Sequence, residues 1–454
     1  MLPKWVGEIE YAPATWDEKA YAKSFEKFFY RTPMKNIAKN LPTYWEFATW
    51  ATKKEYSYMR GTTMLPMVAT EKNQESTPSF PKCLFFKTEA DYIERYGYEK
   101  YVEEWLRIKT GARPTPLWYM FLKKEILKKK KIKENDIRQI LCSDPAYARI
   151  GLMFEQHQNM LAKDLTEHQH GQCGWTPFQG GWNLRMERLE KPGATYIEMD
   201  WSRFDGTIPP EVFLHIKNIR FGFLASEYRT RENRAIYRWY VDNLVNRYVL
   251  LPSGEITKQN RGNPSGQVST TIDNNMVNTF LQAFEFMYVN KLNLQDAKKL
   301  WSEYDTIVYG DDRITRTPIA PEDYTEKVIN MYAEIFGMWV KPENVKISKT
   351  LEGLSFCGFT NMRIKNMYLP VPTNVQKLIA GLVTPTRKLP DLDSLYGKVL
   401  SFKVLMHNLP DEDPGKNFIL ACEVALRRHI ENAGQQPVKF TDSMLDFLWR
   451  GGPR

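Results

Sequence analysis

No two cysteines in this chain are spaced as CxxC, and their number is odd: Cys83, Cys142, Cys173, Cys357 and Cys422 stand far apart. That argues against a disulfide framework and predicts free thiols in a reducing compartment. No apolar run reaches the roughly 18–20 residues that a membrane-spanning helix needs. The opening stretch, MLPKWVGEIEYAPATW, lacks the basic-then-apolar layout of a secretory signal. Internal repeats are absent, as is low-complexity sequence beyond one lysine cluster. Histidine is scarce too. His168, His170 and Cys173 offer three zinc-type ligands without an evident fourth, so they read as packing or surface residues.

What is present is a chain of 454 residues, enough for two or three packed subdomains. Apolar residues make up 43% and aromatics 13%, the composition of a globular protein. A formal net charge of +9 suggests a polyanionic partner, although many basic proteins have none. Residues 1–122 read as helices joined by irregular segments, and Lys123–Ile140 is strongly basic. Asp144 to about Gly193 begins helical and ends loop-rich (GQCGWTPFQGGWN). From Ala194 the pattern changes. ATYIEMD reads as a strand, Pro209–Val245 as helix, RYVLLPSGEIT as a hairpin, Ser269–Asn290 as a long helix and Thr306–Thr315 as a second hairpin. After Thr360 the chain reads as mostly helical, with Pro370, Pro372, Pro385 and Pro390 at its start. A mixed α/β centre is therefore expected between a long N-terminal part and a helical C-terminal part.

Four constellations carry chemistry. In DTIVYGDDRITRT, Gly310 at the first central position suits a two-residue type II′ turn, which puts Asp311 and Asp312 at the tip. A solvated turn needs neither carboxylate. Paired, they become useful when divalent cations neutralise them. In YIEMDWSRFDGTIPP, Asp200 ends a strand and Asp205 lies near a helix start. Asp200 supplies a third carboxylate if its strand lies beside the hairpin, and three carboxylates can hold two metals about 3.5–4 Å apart for phosphoryl transfer. In RGNPSGQVSTTIDNNMVNTFLQAFEFM a tight loop feeds a helix on which Thr270 and Asn274 share a face, opposite Ile272, Met276, Thr279, Ala283 and Met287. Its hydroxyl and amide side chains, almost free of charge, suggest ligand recognition over a merely soluble surface. Finally, KKEILKKKKIKENDIRQI interleaves Ile126, Leu127, Ile132, Ile137 and Ile140 with its lysines. That marks an ordered basic element suited to a triphosphate rather than a free tail.

In this order the four resemble the RNA-dependent RNA polymerases of positive-strand RNA viruses. DWSRFDGTIPP, GNPSGQVSTTIDNNMVN and YGDDR are most similar to the astrovirus polymerases, C-terminal products of a nonstructural polyprotein. The resemblance is anchored from about Ser76 to Thr360, and the flanks fit it in length and character.

The resemblance implies an α/β (α+β) closed right hand of fingers, palm and thumb, with an antiparallel palm sheet packed on helices. Residues 1–193 would form an N-terminal extension and fingers with part of the palm. Residues 194–360 would be palm, with a fingers insertion near 220–260, and 361–454 a helical thumb. It implies two Mg²⁺ ions, replaceable by Mn²⁺, on Asp200 and Asp311, with a smaller direct share for Asp312. Asp205 and Asn274 would recognise the ribose 2′-hydroxyl, with Thr270 close by. Ser265 and Gly266 belong to a flexible loop gating template and nucleotide. Lys131 and Arg138 match basic positions that contact the triphosphate, and SFCGFT (Ser355–Thr360) matches the strand gripping the primer end. A lysine proposed as general acid falls in FGMWVKPENVK, where Lys346 is preferred to Lys341. The partners implied are RNA template and nascent RNA, NTPs, a protein primer (VPg) and other viral replication proteins, in membrane-associated complexes of the host cytoplasm. Two further departures from the pattern are Asp136, where related enzymes often have lysine, and Ser79 in STPSFP, where the template-entry loop usually has glycine.

Two other readings compete. A reverse transcriptase also uses an aspartate pair on a hairpin, but a DNA-making site would block the 2′-hydroxyl with bulk, and Asp205 with Asn274 offers polar partners instead. A non-catalytic RNA-binding protein would need the lysines and aromatics but not three aspartates.

Overall fold

The Thr195–Ser202 strand lies beside the hairpin, as its aspartate requires. In the computed structural model, which describes residues 2–452, an antiparallel four-stranded sheet runs in the order Trp339–Ser348, Thr195–Ser202, Asp312–Thr317, Asp305–Tyr309. The hairpin closes through Gly310 and Asp311. Gly310 sits at φ +63, and Asp311 does not enter the left-handed region, as expected for glycine at the first turn position. Thr195 pairs with Thr317 and Glu198 with Ile314. Carrying that register two residues on sets Asp200 opposite Asp312.

One face of the sheet packs on the Thr270–Val289 helix. Here the sequence reading needs correction. The helix does not present an open polar face; it is buried from Ile272 to Met287. Most of its polar residues are consumed by protein. Asp273 meets Lys217 and Arg220 (2.8 Å), and both cations also face Glu155, so two positive and two negative groups are buried together. Glu285 takes a two-pronged pair from Arg313 (2.9 and 3.2 Å) and hydroxyl donors from Tyr324 and Tyr332. Buried charge is tolerable only when satisfied this fully, and removal of one partner costs about 3–5 kcal/mol.

A second four-stranded sheet, in the order Gln139–Cys142, Leu117–Leu122, Arg247–Leu250, Ile256–Gln259, carries the basic stretch at its edge. That stretch is ordered, as its isoleucines predict: a short strand Ile126–Lys128, a helical turn Lys129–Lys133, then Gln139–Cys142. The Ser253-Gly254 hairpin is present, but Pro209–Val245 is not one helix. It is two, Pro210–Phe223 and Arg231–Val245, with the second capped by the Thr230 hydroxyl. Thr360 does not begin a helical region either. Pro370 and Pro372 lie in a strand, Met367–Pro372, at the edge of a three-stranded sheet where proline's missing N–H costs nothing. Only then do four helices follow, from Val375 to Arg450. Their core takes in Trp5 and Ile9 from the N-terminus. Tyr11–Pro13 pairs with Ile126–Lys128, and Glu10 bonds Gln376 through its backbone, so the N-terminal segment bridges the basic element and the C-terminal helices.

Candidate active site

The sheet, the Ser265 loop and the basic edge converge on one cleft. Asp200 projects from its strand into open space, Asp311 lies in the turn and Asp312 opens the strand after it. Burial raises the Asp311 carboxyl to about 8, helped by Asp312, Asp205 and Asp200. Desolvation, Asp200 and Glu198 raise Asp312 to about 6. Asp200 is raised as well, by desolvation and Glu198, against the pull of Lys131. The carboxylates thus feel one another strongly, and a cation placed among them would relieve that repulsion. Among the described residues no group of three or more acidic, histidine or cysteine side chains is placed to hold a metal ion by itself, so a cation here would need waters and substrate phosphates beside one or two of the carboxylates. An open, all-oxygen set fits Mg²⁺, which keeps waters and takes substrate phosphates beside one or two carboxylates.

The turn itself is clamped from behind. Asn275 accepts a hydrogen bond from the Gly310 N–H (2.7 Å), and Asn278 donates to the Gly310 carbonyl (2.9 Å). The Ser355–Thr360 segment is a tight hairpin rather than one strand, and the Cys357 N–H at its tip faces Asp312.

Asp205 lies in the first turn of a short helix, Phe204–Thr207. Ser265 Oγ donates to its Oδ2 (2.5 Å), and Lys27 Nζ stands 3.8 Å away. Burial alone would raise this carboxyl; Lys27 and Ser265 outweigh it and hold it below its ordinary value. Asn274 makes no hydrogen bond to Asp205. Asn263 joins them: its N–H donates to the Asp205 carbonyl (2.7 Å) and its amide to Asn274 Oδ1 (2.9 Å). The Asn274 amide nitrogen is left as the group facing the cleft. Thr270 is turned away, its hydroxyl donating to the carbonyls of Pro264 and Gln267 at the helix start. Gly266 (φ +112) is obligatory, since a Cβ there would lie 2.3 Å from the Leu141 carbonyl oxygen. The Leu141 N–H bonds Ser265 O, which seats the loop on the basic edge strand.

Arg138 is exposed and engaged, paired two-pronged with Glu125 through Nη2 to Oε1 (2.7 Å) and Nε to Oε2 (3.2 Å). Lys131 is exposed and free enough to act on Asp200. Lys346 lies opposite Glu198 in register and pairs with it at 3.3 Å, on the same sheet face as Asp200. Lys341 instead lies over the Trp339 ring, beyond an irregularity in the strand. His170, passed over as a ligand, is buried between Glu55 and Asp305, with its other nitrogen at Thr279. Ser79 adopts the left-handed φ (+62) that its missing glycine would have taken.

A profile of the family described as viral RNA-dependent RNA polymerase matches residues 1–401. The chain belongs to this family. It is an RNA-directed RNA polymerase by that membership. It is 52% identical over 450 residues to the non-structural polyprotein 1AB of ovine astrovirus 1, covering 98% of this chain and 33% of the relative. Against the same polyprotein of mink astrovirus 1 and human astrovirus-5 it is 50% and 49% identical, over 100% of this chain and 33% and 31% of those proteins. The polymerase thus spans about a third of the length of these curated relatives. In structure it is similar to the Sicinivirus 3Dpol RNA dependent RNA polymerase, with a TM-score of 0.77 at 15% identity, covering 98% of this chain and 93% of the other. The right hand with an antiparallel palm sheet on helices is therefore the polymerase's fold. No helix among its described residues is long and apolar enough to cross a membrane.

Residues the sequence reading missed are Lys27, Glu125, Asn263, Asn275 and Asn278. Asn263, Asn275 and Asn278 stand inside the quoted GNPSGQVSTTIDNNMVN, where one could have asked which amides face the cleft and which face protein. Lys27 lies 178 positions from Asp205 and carries no local signal.

Proposed function

We propose that the polymerase synthesises RNA from NTPs on an RNA template, by attack of the primer 3′-hydroxyl on the α-phosphate with pyrophosphate as leaving group. The observation that carries this is the meeting of Asp200 and the Asp311-Asp312 turn across one sheet, beside a carboxylate, Asp205, held charged by Lys27 and Ser265. Two Mg²⁺ ions, or Mn²⁺ in their place, held by Asp200, Asp311 and Asp312 with substrate phosphates, would lower the pKa of the attacking hydroxyl and take up leaving-group charge. The protein's own residues position. Lys131 and Arg138 receive the triphosphate from the basic edge, Arg138 after leaving Glu125. Asp205 accepts the proton of the ribose 2′-hydroxyl, and the Asn274 amide donates to its oxygen. Lys346 protonates the departing pyrophosphate; its place on the Asp200 face favours it over Lys341.

The division into fingers (1–193), palm (194–360) and thumb (361–454) belongs to the same proposal, as do the partners: template and nascent RNA, a protein primer (VPg), and the other products of the polyprotein in membrane-associated complexes of the host cytoplasm. Primer extension on defined RNA in Mg²⁺ tests the reading. Asp200→Ala and Asp311→Ala should each abolish nucleotide addition with the fold intact. A folded variant that extends at more than a small fraction of the wild-type rate would refute the assignment. A protein that only bound RNA would lose nothing.

A further inference from the structure

Lys27 sits far from every motif in sequence and enters the nucleotide cleft in space. It lies in a single turn, Glu26–Phe28, anchored by buried Phe25 and Phe28. The same segment is bolted to the basic edge strand, because the Gln139 amide donates to both the carbonyl (2.9 Å) and the hydroxyl (3.0 Å) of Ser24. Gln139 directly follows Arg138, so the turn carrying Lys27 is tied to the strand that carries Arg138.

The Lys27 stem crosses Gly206. A Cβ at 206 would lie 2.5 Å from Lys27 Cγ and 2.7 Å from Cδ, so the glycine of DWSRFDGT is the space this lysine occupies. Its ammonium ends 3.8 Å from Asp205 Oδ2, with the side chain only 15% exposed. Among the described residues it donates no hydrogen bond. Arg138, Arg203 and Arg247 press on it with like charge. A lysine with three donors, largely desolvated and crowded by cations, is held there for an anion. The carboxylate it faces is Asp205, whose other partner, Ser265, belongs to a loop rather than to a rigid element.

We propose that Lys27 is a positioning residue of the nucleotide site: its ammonium holds the Asp205 carboxylate toward the ribose pocket, so that a segment from the chain's N-terminal part sets the choice between rNTP and dNTP. This rests on the reading of Asp205 as the ribose contact. Ser265 supplies one directional bond to Oδ2, and Lys27 supplies the charge that holds the same oxygen in place. A 2′-hydroxyl then finds an acceptor already aimed, and a deoxyribose gains nothing from it.

The test is a double-mutant cycle read by kcat/KM for matched rNTP and dNTP on one template, with RNA affinity measured alongside. Lys27→Met keeps the stem over Gly206 and removes the charge. It should lower rNTP use by about tenfold and dNTP use by less than about twofold, leave RNA affinity unchanged, and be largely rescued in Lys27→Arg. In an Asp205→Asn background Lys27→Met should leave the sugar ratio unaltered, since it acts through that carboxylate. Equal losses for both sugars, as a merely structural anchor would give, overturn the proposal, as does full additivity with Asp205→Asn. If Lys27→Met does not fold, Lys27→Gln carries the same cycle. Asp205→Asn alone separates the two readings. An unchanged ratio there sinks the ribose role itself, whereas a reduced ratio there with an unchanged one in Lys27→Met sinks only the role of Lys27.

Discussion

Asn275 accepts the Gly310 N–H at 2.7 Å, and this bond ties the turn that carries Asp311 to the deeply buried Thr270–Val289 helix. Asn278 donates to the carbonyl of the same residue. Together they pin both polar groups of the residue that precedes the two aspartates. Asn278→Ala should therefore lower kcat by about tenfold or more with little change in NTP KM, and cost about 1–3 kcal/mol of stability for the unpaired carbonyl. Steady-state kinetics and thermal denaturation check this, and an unaltered kcat would show that the turn needs no clamp.

Cation binding should be visible without turnover. Burial and mutual repulsion raise Asp311 and Asp312, so Mg²⁺ in a hundredfold excess over Kd should stabilise the free protein by about 2.7 kcal/mol. Asp311→Asn should start more stable than wild type, because the repulsion is gone, and should lose most of the Mg²⁺ response. A scan of Tm against Mg²⁺ for both proteins decides it.

On the proposed reading, Glu125 competes with the triphosphate for Arg138. Glu125→Gln frees the guanidinium from its two-pronged pair and should lower the NTP KM a few-fold, while Arg138→Ala should raise it more than it weakens RNA binding. RNA affinity draws on many dispersed lysines and should move little in either variant. The opposite pattern, lost RNA affinity at constant KM, would assign Arg138 to the RNA.

Sugar choice should fail from two directions. Asn274→Ala removes the amide proposed to meet the ribose, and Asn263→Ala removes the side chain that bonds it. Each should erode the rNTP over dNTP preference by about one to two powers of ten, roughly 1.4–2.8 kcal/mol, chiefly by harming rNTP use. An effect in Asn274→Ala without one in Asn263→Ala would mean the amide orients itself.

Glu55 and His170 give the fold opposite pH dependences. Burial raises Glu55 from its ordinary 4.5 to about 8, so the folded chain binds the extra proton and this group's contribution is lost as pH rises through that window. Burial lowers His170 from 6.5 to about 4, so its contribution is lost as pH falls through that window. Above about pH 6.5 the His170 contribution is constant, while Glu55 and Asp311, both raised to about 8, still titrate. Glu55→Gln should flatten the decline in Tm between pH 6.5 and 8, a gain on the order of 1–4 kcal/mol at pH 8. A slope identical to wild type would place that titration elsewhere.

Local pattern by itself determined the hairpin with Asp311 and Asp312 at its tip, the strand ending near Asp200, the Ser265 loop and the helix after it. Each depends on glycine, proline and apolar spacing within some ten to twenty residues, which the chain reads one neighbour at a time. The break between Pro210–Phe223 and Arg231–Val245 was hidden because both halves share a helical period and the Thr230 cap is only one residue. The strand holding Pro370 and Pro372 was hidden because proline argues against a strand unless its place at a sheet edge is known. What only the tertiary structure decided is where polar side chains spend their hydrogen bonds. Asn274 and Asn275 are adjacent in sequence and alike in chemistry, yet a helix turns them about 100° apart. One is left for the cleft and the other holds Gly310. Lys27 meets Asp205 for the same kind of reason: a contact across 178 residues depends on every element between them being packed, and no local signal carries it.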